Sequence, residues 1–185
     1  MNFLKMLLVF APWLAFLFIA QGSIVRLKIG LLVALVLCVV MGVARVHRGI
    51  LLWAGLLFFS YASVAVILFN HFWTERYMGV LACGVLAVSV WVSLLIKKPF
   101  TLDYAREHVS KSLWNDPGFI RTNVLITALW GAVFTVNVFL AWGKLVRFAF
   151  PPVAYEVVSY GLLFGTMAFS TWYPNYIRQK RRAGK

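Results

Sequence analysis

Six stretches of the chain carry no charged residue, and each has about the length of a membrane helix: 6–25, 29–44, 49–70, 77–96, 122–143 and 157–177. A bilayer core about 30 Å thick is crossed by roughly 20 helical residues. Backbone in oil must satisfy its own hydrogen bonds, and a helix does so within one segment. The runs lack the alternating ten-residue pattern of barrel strands. They predict an all-α fold, a polytopic transmembrane helix bundle that forms one integral membrane domain over 1–185. Its six spans lie at 6–25, 29–45, 49–70, 77–96, 122–143 and 157–177. The second is the shortest, so Lys28 and Arg45 must snorkel outward; five spans result if the first two runs make one bent unit. The alternative of a soluble domain fails on composition: 63% apolar and 12% charged, against about 45–50% and about 25% in soluble proteins.

The first run follows Lys5 and ends Phe18-Ile19-Ala20, which invites a signal-peptide reading. Phe18 is too bulky for a small-residue cleavage site. An uncleaved first span is expected, kinked near Pro12 because proline removes a backbone donor.

The net charge of +13 raises the question of where the bases sit. On one side of a six-span layout fall Lys5, Arg45 and Arg48, the group Lys97, Lys98, Arg106, Lys111 and Arg121, and the tail group Arg178, Lys180, Arg181, Arg182 and Lys185. The other side holds Arg26, Lys28, Arg76, Lys144 and Arg147. Thirteen against five puts both termini in the cytoplasm by the positive-inside rule, and the basic tail 178–185 is part of that signal. No basic face with interleaved aromatics lies outside the loops, so no nucleic-acid partner is expected.

Inside the runs there is no Asp, Glu, Lys, Arg or His at mid-membrane depth. Intramembrane ionisable groups mark proton relays and ion paths, and their absence argues against a proton-coupled transporter or ion channel. Glu156, after Pro151-Pro152 at the outer mouth of the sixth span, reads first as a hydrated interfacial acid and second as functional. His47, His71 and His108 cannot pair at one depth, so haem is not expected, and no metal or other cofactor is. Cys38 and Cys83 lie in oil as small apolar residues with no disulfide. Ser60, Tyr61, Ser63, Ser89, Ser93, Thr135, Asn137, Thr166, Ser170 and Thr171 read as interhelical hydrogen-bonding groups. Gly161 and Gly165, followed by Ala168, and Gly79 with Cys83 and Ala87 form small-residue strips for helix packing, within the chain or in a homo-oligomer.

The segment 97–121 differs from the rest, with three of the five acids beside five bases. Leu102, Ala105, Val109 and Leu113 recur at helical spacing, while Asp103, Arg106, Glu107 and Lys111 take other faces. A short amphipathic cytoplasmic helix between spans four and five is expected, N-capped by Thr101 and supported by a Glu107 to Lys111 pair. Trp114 and the turn Asn115-Asp116-Pro117-Gly118 would end it. Its apolar strip would lie in the headgroup boundary, with its bases over anionic lipid headgroups. Asp103, Glu107 and His108 form the only cluster that could supply an acid and base, and His108 points away from the other two. A non-enzymatic protein is therefore the leading reading.

The run Ser93-Leu94-Leu95-Ile96-Lys97-Lys98-Pro99-Phe100, followed by a short polar helix, Trp114 and another span, resembles the bacterial intracellular septation protein A family and its related small membrane proteins. The similarity covers about 91–143 and includes Trp130 and Asn137, although the Trp to Asn spacing is shorter and 101–108 (TLDYAREH) longer and more charged than in the family. The resemblance implies a bacterial inner-membrane protein without catalytic residues that supports cell envelope synthesis, septation and cell division through contacts with other inner-membrane proteins. Lys97, Lys98, Pro99 and Phe100, with Tyr104 in the following helix, would form the loop motif. A carrier or flippase for an anionic lipid or small solute is the alternative, with Lys98, Arg106 and Lys111 meeting the headgroup.

Overall fold

A computed structural model describes residues 8, 10–44, 49–106 and 109–183. Its helices are α1 (Ala11–Ile19), α2 (Ile24–Val43), α3 (Ile50–Ser63, continued by a π-helical turn at Val64–Leu68), α4 (Phe72–Arg76), α5 (Met78–Leu95), α6 (Phe100–Arg106), α7 (Pro117–Val146) and α8 (Pro152–Ala183). Five of these are long and apolar enough to cross a membrane: α2, α3 with its π turn, α5, α7, and α8 as far as Ile177. Short connections make sequential spans antiparallel neighbours, and each end of the bundle therefore collects alternate loops.

Part of the first run lies outside the described residues. Its helix among the described ones is nine residues long, about 14 Å at 1.5 Å per residue, and it packs inward as a wedge. Pro12 stands in the first turn of this helix, after a turn at Phe10, where a missing N–H is harmless. Phe10, just before it, stacks on Trp130 with ring centroids 4.7 Å apart and meets Phe100 and Phe134 edge-on or tilted. Trp13 stacks on Phe58 and tilts against Phe59, and Phe16 also reaches Phe59. One short segment thus joins α3, α6 and α7 through aromatic contacts, each worth roughly 0.5–1.5 kcal/mol beyond its buried area.

The helix stops are built largely without glycine. At the end of α5, Lys97 takes a left-handed conformation (φ 57°), its N–H bonding the Leu94 carbonyl while the Lys98 N–H bonds that of Ser93, both at 2.9 Å. This is the paired closure of a Schellman stop. Pro99 then bars continuation, and the Phe100 N–H finds Ser93 Oγ. Arg147 (φ 52°) ends α7 in the same left-handed conformation, with the Phe148 N–H on the Gly143 carbonyl, and Ala149 follows at φ 56°.

Segment 97–121 holds a shorter helix than the periodicity predicts. It runs over α6 alone and is followed by a single 3-10 turn at Lys111–Leu113. Thr101 is not its N-cap. It lies buried inside the helix, donating to the Asn123 carbonyl (3.0 Å) and sharing a hydrogen bond with Thr127 (2.8 Å) on α7. Phe100 and Leu102 are buried against the protein, so this end of the apolar strip faces the bundle and not the lipid boundary. Asp116 ends nothing: it N-caps α7, accepting from the Phe119 N–H at 2.8 Å with Pro117 in the first turn. The helix that follows is 30 residues long and begins five residues before the predicted span. At the other terminus α8 stays helical to Ala183, through most of what reads as a tail.

Left-handed backbone costs a non-glycine residue about 1–2 kcal/mol. Replacing Lys97 or Ala149 by glycine should therefore raise stability by about 1 kcal/mol, seen as a higher unfolding midpoint in detergent; an unchanged or lower midpoint would count against these helix stops.

Candidate functional site

The intramembrane polar groups are satisfied in a particular way. Ser89, Ser93, Thr135, Thr166 and Ser170 donate to carbonyls three or four residues earlier in their own helices. Two of the links between helices come from indoles. Trp91 donates to Thr135 at 3.1 Å, and Trp130, 1% exposed, donates to Ser170 at 3.0 Å. Each hydroxyl bridges by accepting an indole proton while giving its own to the backbone. Asn137 joins α7 to α8, accepting from Ser159 on its side-chain oxygen while its amide donates to the Val133 carbonyl.

Near Asn137 the bundle opens. Two adjoining cavities, about 440 Å³ and about 300 Å³, share Gly79, Cys83, Asn137, Lys144 and Ser159 in their walls. They lie between α1, α5, α7 and α8, toward the end opposite the Lys97-Lys98 loop. The deeper one is walled by Phe10, Trp13, Trp130, Phe134 and Met167. The other is rimmed by Arg76, Lys144, Arg147, Tyr155 and Glu156. Lys144 and Glu156 form an ion pair at 2.5 Å, each side chain about one third exposed. The α7–α8 turn brings them together: residues 147–151 reverse the chain and set the last turn of α7 against the first of α8.

Tyr155, also on the rim, is 9% exposed, and its hydroxyl has no hydrogen-bond partner. Its ring lies so close to Gly143 that a Cβ there would stand 2.8 Å from Cε1. The site therefore grades from a charged rim through an amide and hydroxyl throat to an aromatic floor. Volumes of about 300–1,000 Å³ with mostly apolar walls and a few convergent polar groups are typical of small-molecule sites.

The loop residues singled out by sequence gather at the opposite end and divide by role. Lys97 and Lys98 cap α5 with exposed side chains, and Lys111 is exposed in its 3-10 turn. Pro99 and Phe100 are buried anchors. Arg106 lies over the Trp114 ring at 5.4 Å, and the Trp114 indole donates to the Arg106 carbonyl at 3.3 Å. Tyr104 packs on the core. Protein packed around the Asp103 carboxyl raises it above the ordinary carboxylate range, and Arg106 and Lys98 pull it back down. Asp103 thus favours folding most at low pH, and that contribution is lost as pH rises through its raised value. Glu107 and His108 lie outside the described residues, so the Glu107 to Lys111 pair does too.

Of the packing glycines, Gly161 and Gly165 face open space, with nothing within 4 Å of an added Cβ. Among the described residues nothing packs against either glycine. Gly79 approaches Ala141 on α7 at ordinary contact distance, and Cys83 lines both cavities instead of filling a seam. The close approaches occur elsewhere, at Gly30 against Ala20, Gly55 against the Cys38 sulfur, Gly131 against the Trp91 ring and Gly143 against Tyr155. Spacing alone could not select them, because what matters is what the neighbouring segment places opposite each glycine. For the cavity the one sequence signal was an acid, Glu156, twelve residues after Lys144 and separated from it by Pro151-Pro152.

Compared with known proteins, the chain matches no family model, no curated protein and no solved structure.

Gly143→Ala should cost about 1–3 kcal/mol by overpacking against Tyr155. Gly161→Ala should be neutral or raise stability by up to about 1 kcal/mol. Thermal unfolding of both variants in detergent checks the contrast, which disappears if Gly143 is not in close contact.

Proposed function

We propose that this multi-pass membrane protein binds an anionic lipid or related amphiphile in the cavity between α1, α5, α7 and α8, as a lipid-binding protein or carrier. The observation that supports the reading most is the gradient of the cavity wall, from the Arg76, Lys144 and Arg147 rim to the Trp13, Trp130 and Phe134 floor. An amphiphile has the same gradient. Its head would meet cations where their charge remains partly hydrated, and its tail would replace apolar surface for which lipid or water must otherwise be found. This places the headgroup at the end opposite to Lys98, Arg106 and Lys111.

The membrane we propose is the bacterial inner membrane with both termini cytoplasmic, supported by the thirteen to five split of Lys and Arg. The charged rim of the cavity then faces the outer leaflet. A second reading is a non-enzymatic protein supporting envelope synthesis or septation through contacts with inner-membrane division proteins or a second copy. It draws on the septation protein A resemblance and on the uncovered Gly161 and Gly165 face, which admits close approach of another helix.

Cys83→Trp would fill the wall shared by both cavities. After gentle extraction and extensive detergent washing, native mass spectrometry should find one anionic phospholipid retained per wild-type chain and absent from this variant, while Lys98→Gln with Lys111→Gln leaves retention unchanged. Equal retention by wild type and Cys83→Trp would sink the cavity reading. With Cys38 and Cys83 replaced by alanine, an impermeant maleimide added outside intact cells should label Ala149→Cys and spare Gly184→Cys; the reverse pattern would invert the orientation.

A further inference from the structure

The rim of the cavity holds an acid that a simple anion site would not need. Lys144 is the rim cation that lines both cavities. Glu156 already occupies it at 2.5 Å. One residue earlier, Tyr155 lines the same cavity, and its buried hydroxyl has no hydrogen-bond partner in the protein. A buried hydroxyl left unpaired destabilises the protein by about 1–3 kcal/mol relative to a paired one, so its retention at a cavity wall points to a group that arrives from outside.

Resting on the lipid-binding reading above, we propose that Glu156 is a built-in anion that holds Lys144 until the phosphate of a lipid headgroup displaces it, with the Tyr155 hydroxyl donating to that phosphate. The free protein then keeps Lys144 neutralised beside a largely apolar chamber. The entering phosphate exchanges one ion pair for another and gains a hydrogen bond that Glu156 leaves unmade. Displaced Glu156 stays on a rim that also carries Arg76 and Arg147, so that with Glu75 in the wall of the adjoining chamber three cations face two acids before the phosphate arrives. The ligand class is an amphiphile with a single phosphate: its charge replaces one carboxylate, and its tail enters the aromatic chamber. Glu156 thereby sets a threshold against weak anions, because any ligand must outcompete a tethered carboxylate.

The arrangement makes three variants behave unlike one another. Glu156→Gln removes the competitor and should tighten binding by about threefold to fivefold, the worth of a partly exposed ion pair. Lys144→Gln removes the cation and should weaken binding about tenfold or more, as loss of a charge-assisted contact does. Tyr155→Phe should weaken binding severalfold and yet leave the ligand-free protein as stable as wild type or more so, because the hydroxyl has no partner to lose. A purely structural tyrosine would not separate those two readouts.

The experiment is a titration of the delipidated full chain in detergent with dioleoyl phosphatidylglycerol, read by native mass spectrometry, with thermal unfolding of each ligand-free variant in parallel. Sodium phosphate forms a second arm. The expected result is saturable binding of one phosphatidylglycerol, ordered Glu156→Gln tighter than wild type and wild type tighter than both Tyr155→Phe and Lys144→Gln, with millimolar phosphate neither binding nor competing. If wild type binds the lipid and Cys83→Trp does not, but Glu156→Gln binds no tighter than wild type, displacement is overturned while the cavity reading stands. If wild type binds no phosphatidylglycerol and inorganic phosphate binds with the same Glu156 dependence, the exchange is supported and a lipid as its ligand is overturned. If neither binds, both readings fall.

Discussion

Lipid offers no hydrogen-bond partner, and most of what this chain does with its polar groups follows from that constraint. The backbone becomes helical because only a helix closes its own bonds. Most hydroxyls on α5, α7 and α8 return their protons to carbonyls in the preceding turn. The bundle is then tied across helices by the indoles of Trp91 and Trp130, by Ser159 on Asn137 and by Thr101 on α7. Even the helix ends obey the rule. Lys97 accepts a strained left-handed backbone so that the last carbonyls of α5 are covered. Against this background the Tyr155 hydroxyl, like Ser63 Oγ and Arg106 Nε, is buried without a partner, and of the three residues it is Tyr155 that sits at the edge of this cavity and beside an ion pair.

The aromatic wedge of α1 performs a second task. Phe10, Trp13 and Phe16 bring large rings into a space that five long helices would otherwise have to close among themselves. The cavity survives beside that wedge because α1 fills only part of the gap between α2, α5, α7 and α8. Its floor is made of the same rings that hold the bundle together, Phe10, Trp13 and Trp130, so binding and stability share residues there. At the rim they part for the charged pair, since Lys144 and Glu156 lie outside the apolar core, while the Tyr155 ring stays buried against Gly143. The α7–α8 turn, left-handed at Arg147 and Ala149, brings an acid and a base from separate helices within reach of each other.

Much of this architecture was legible before any coordinates. The helical class and the polytopic arrangement follow from runs without charge, because excluding charge from oil is a local requirement on each segment. A short helix after Lys98 was legible too, from the spacing of its apolar residues. Its extent was not. Thr101 has the chemistry of an N-cap and also that of a buried bridge, and only the position of Thr127 and of the Asn123 carbonyl on α7 decides between them. Asp116-Pro117 reads equally as the end of one element or the beginning of the next. The Gly161 and Gly165 spacing is incomplete for a related reason. A small residue permits close approach, but whether anything within the chain approaches depends on the neighbour, and the rings of Trp91 and Tyr155 meet Gly131 and Gly143.

The sequence by itself determined that the chain belongs in a membrane, that its spans are helices, and where most of its charge must gather, because hydrophobic burial and backbone satisfaction act on consecutive residues. Only the tertiary structure decided that Ala11–Ile19 wedges its rings into the bundle, that Lys144 meets Glu156, and that a graded cavity opens beneath them. Those features join residues from helices far apart in the chain. They depend on how rings from different helices interlock, a property of shape in three dimensions to which the order of residues along one segment is blind.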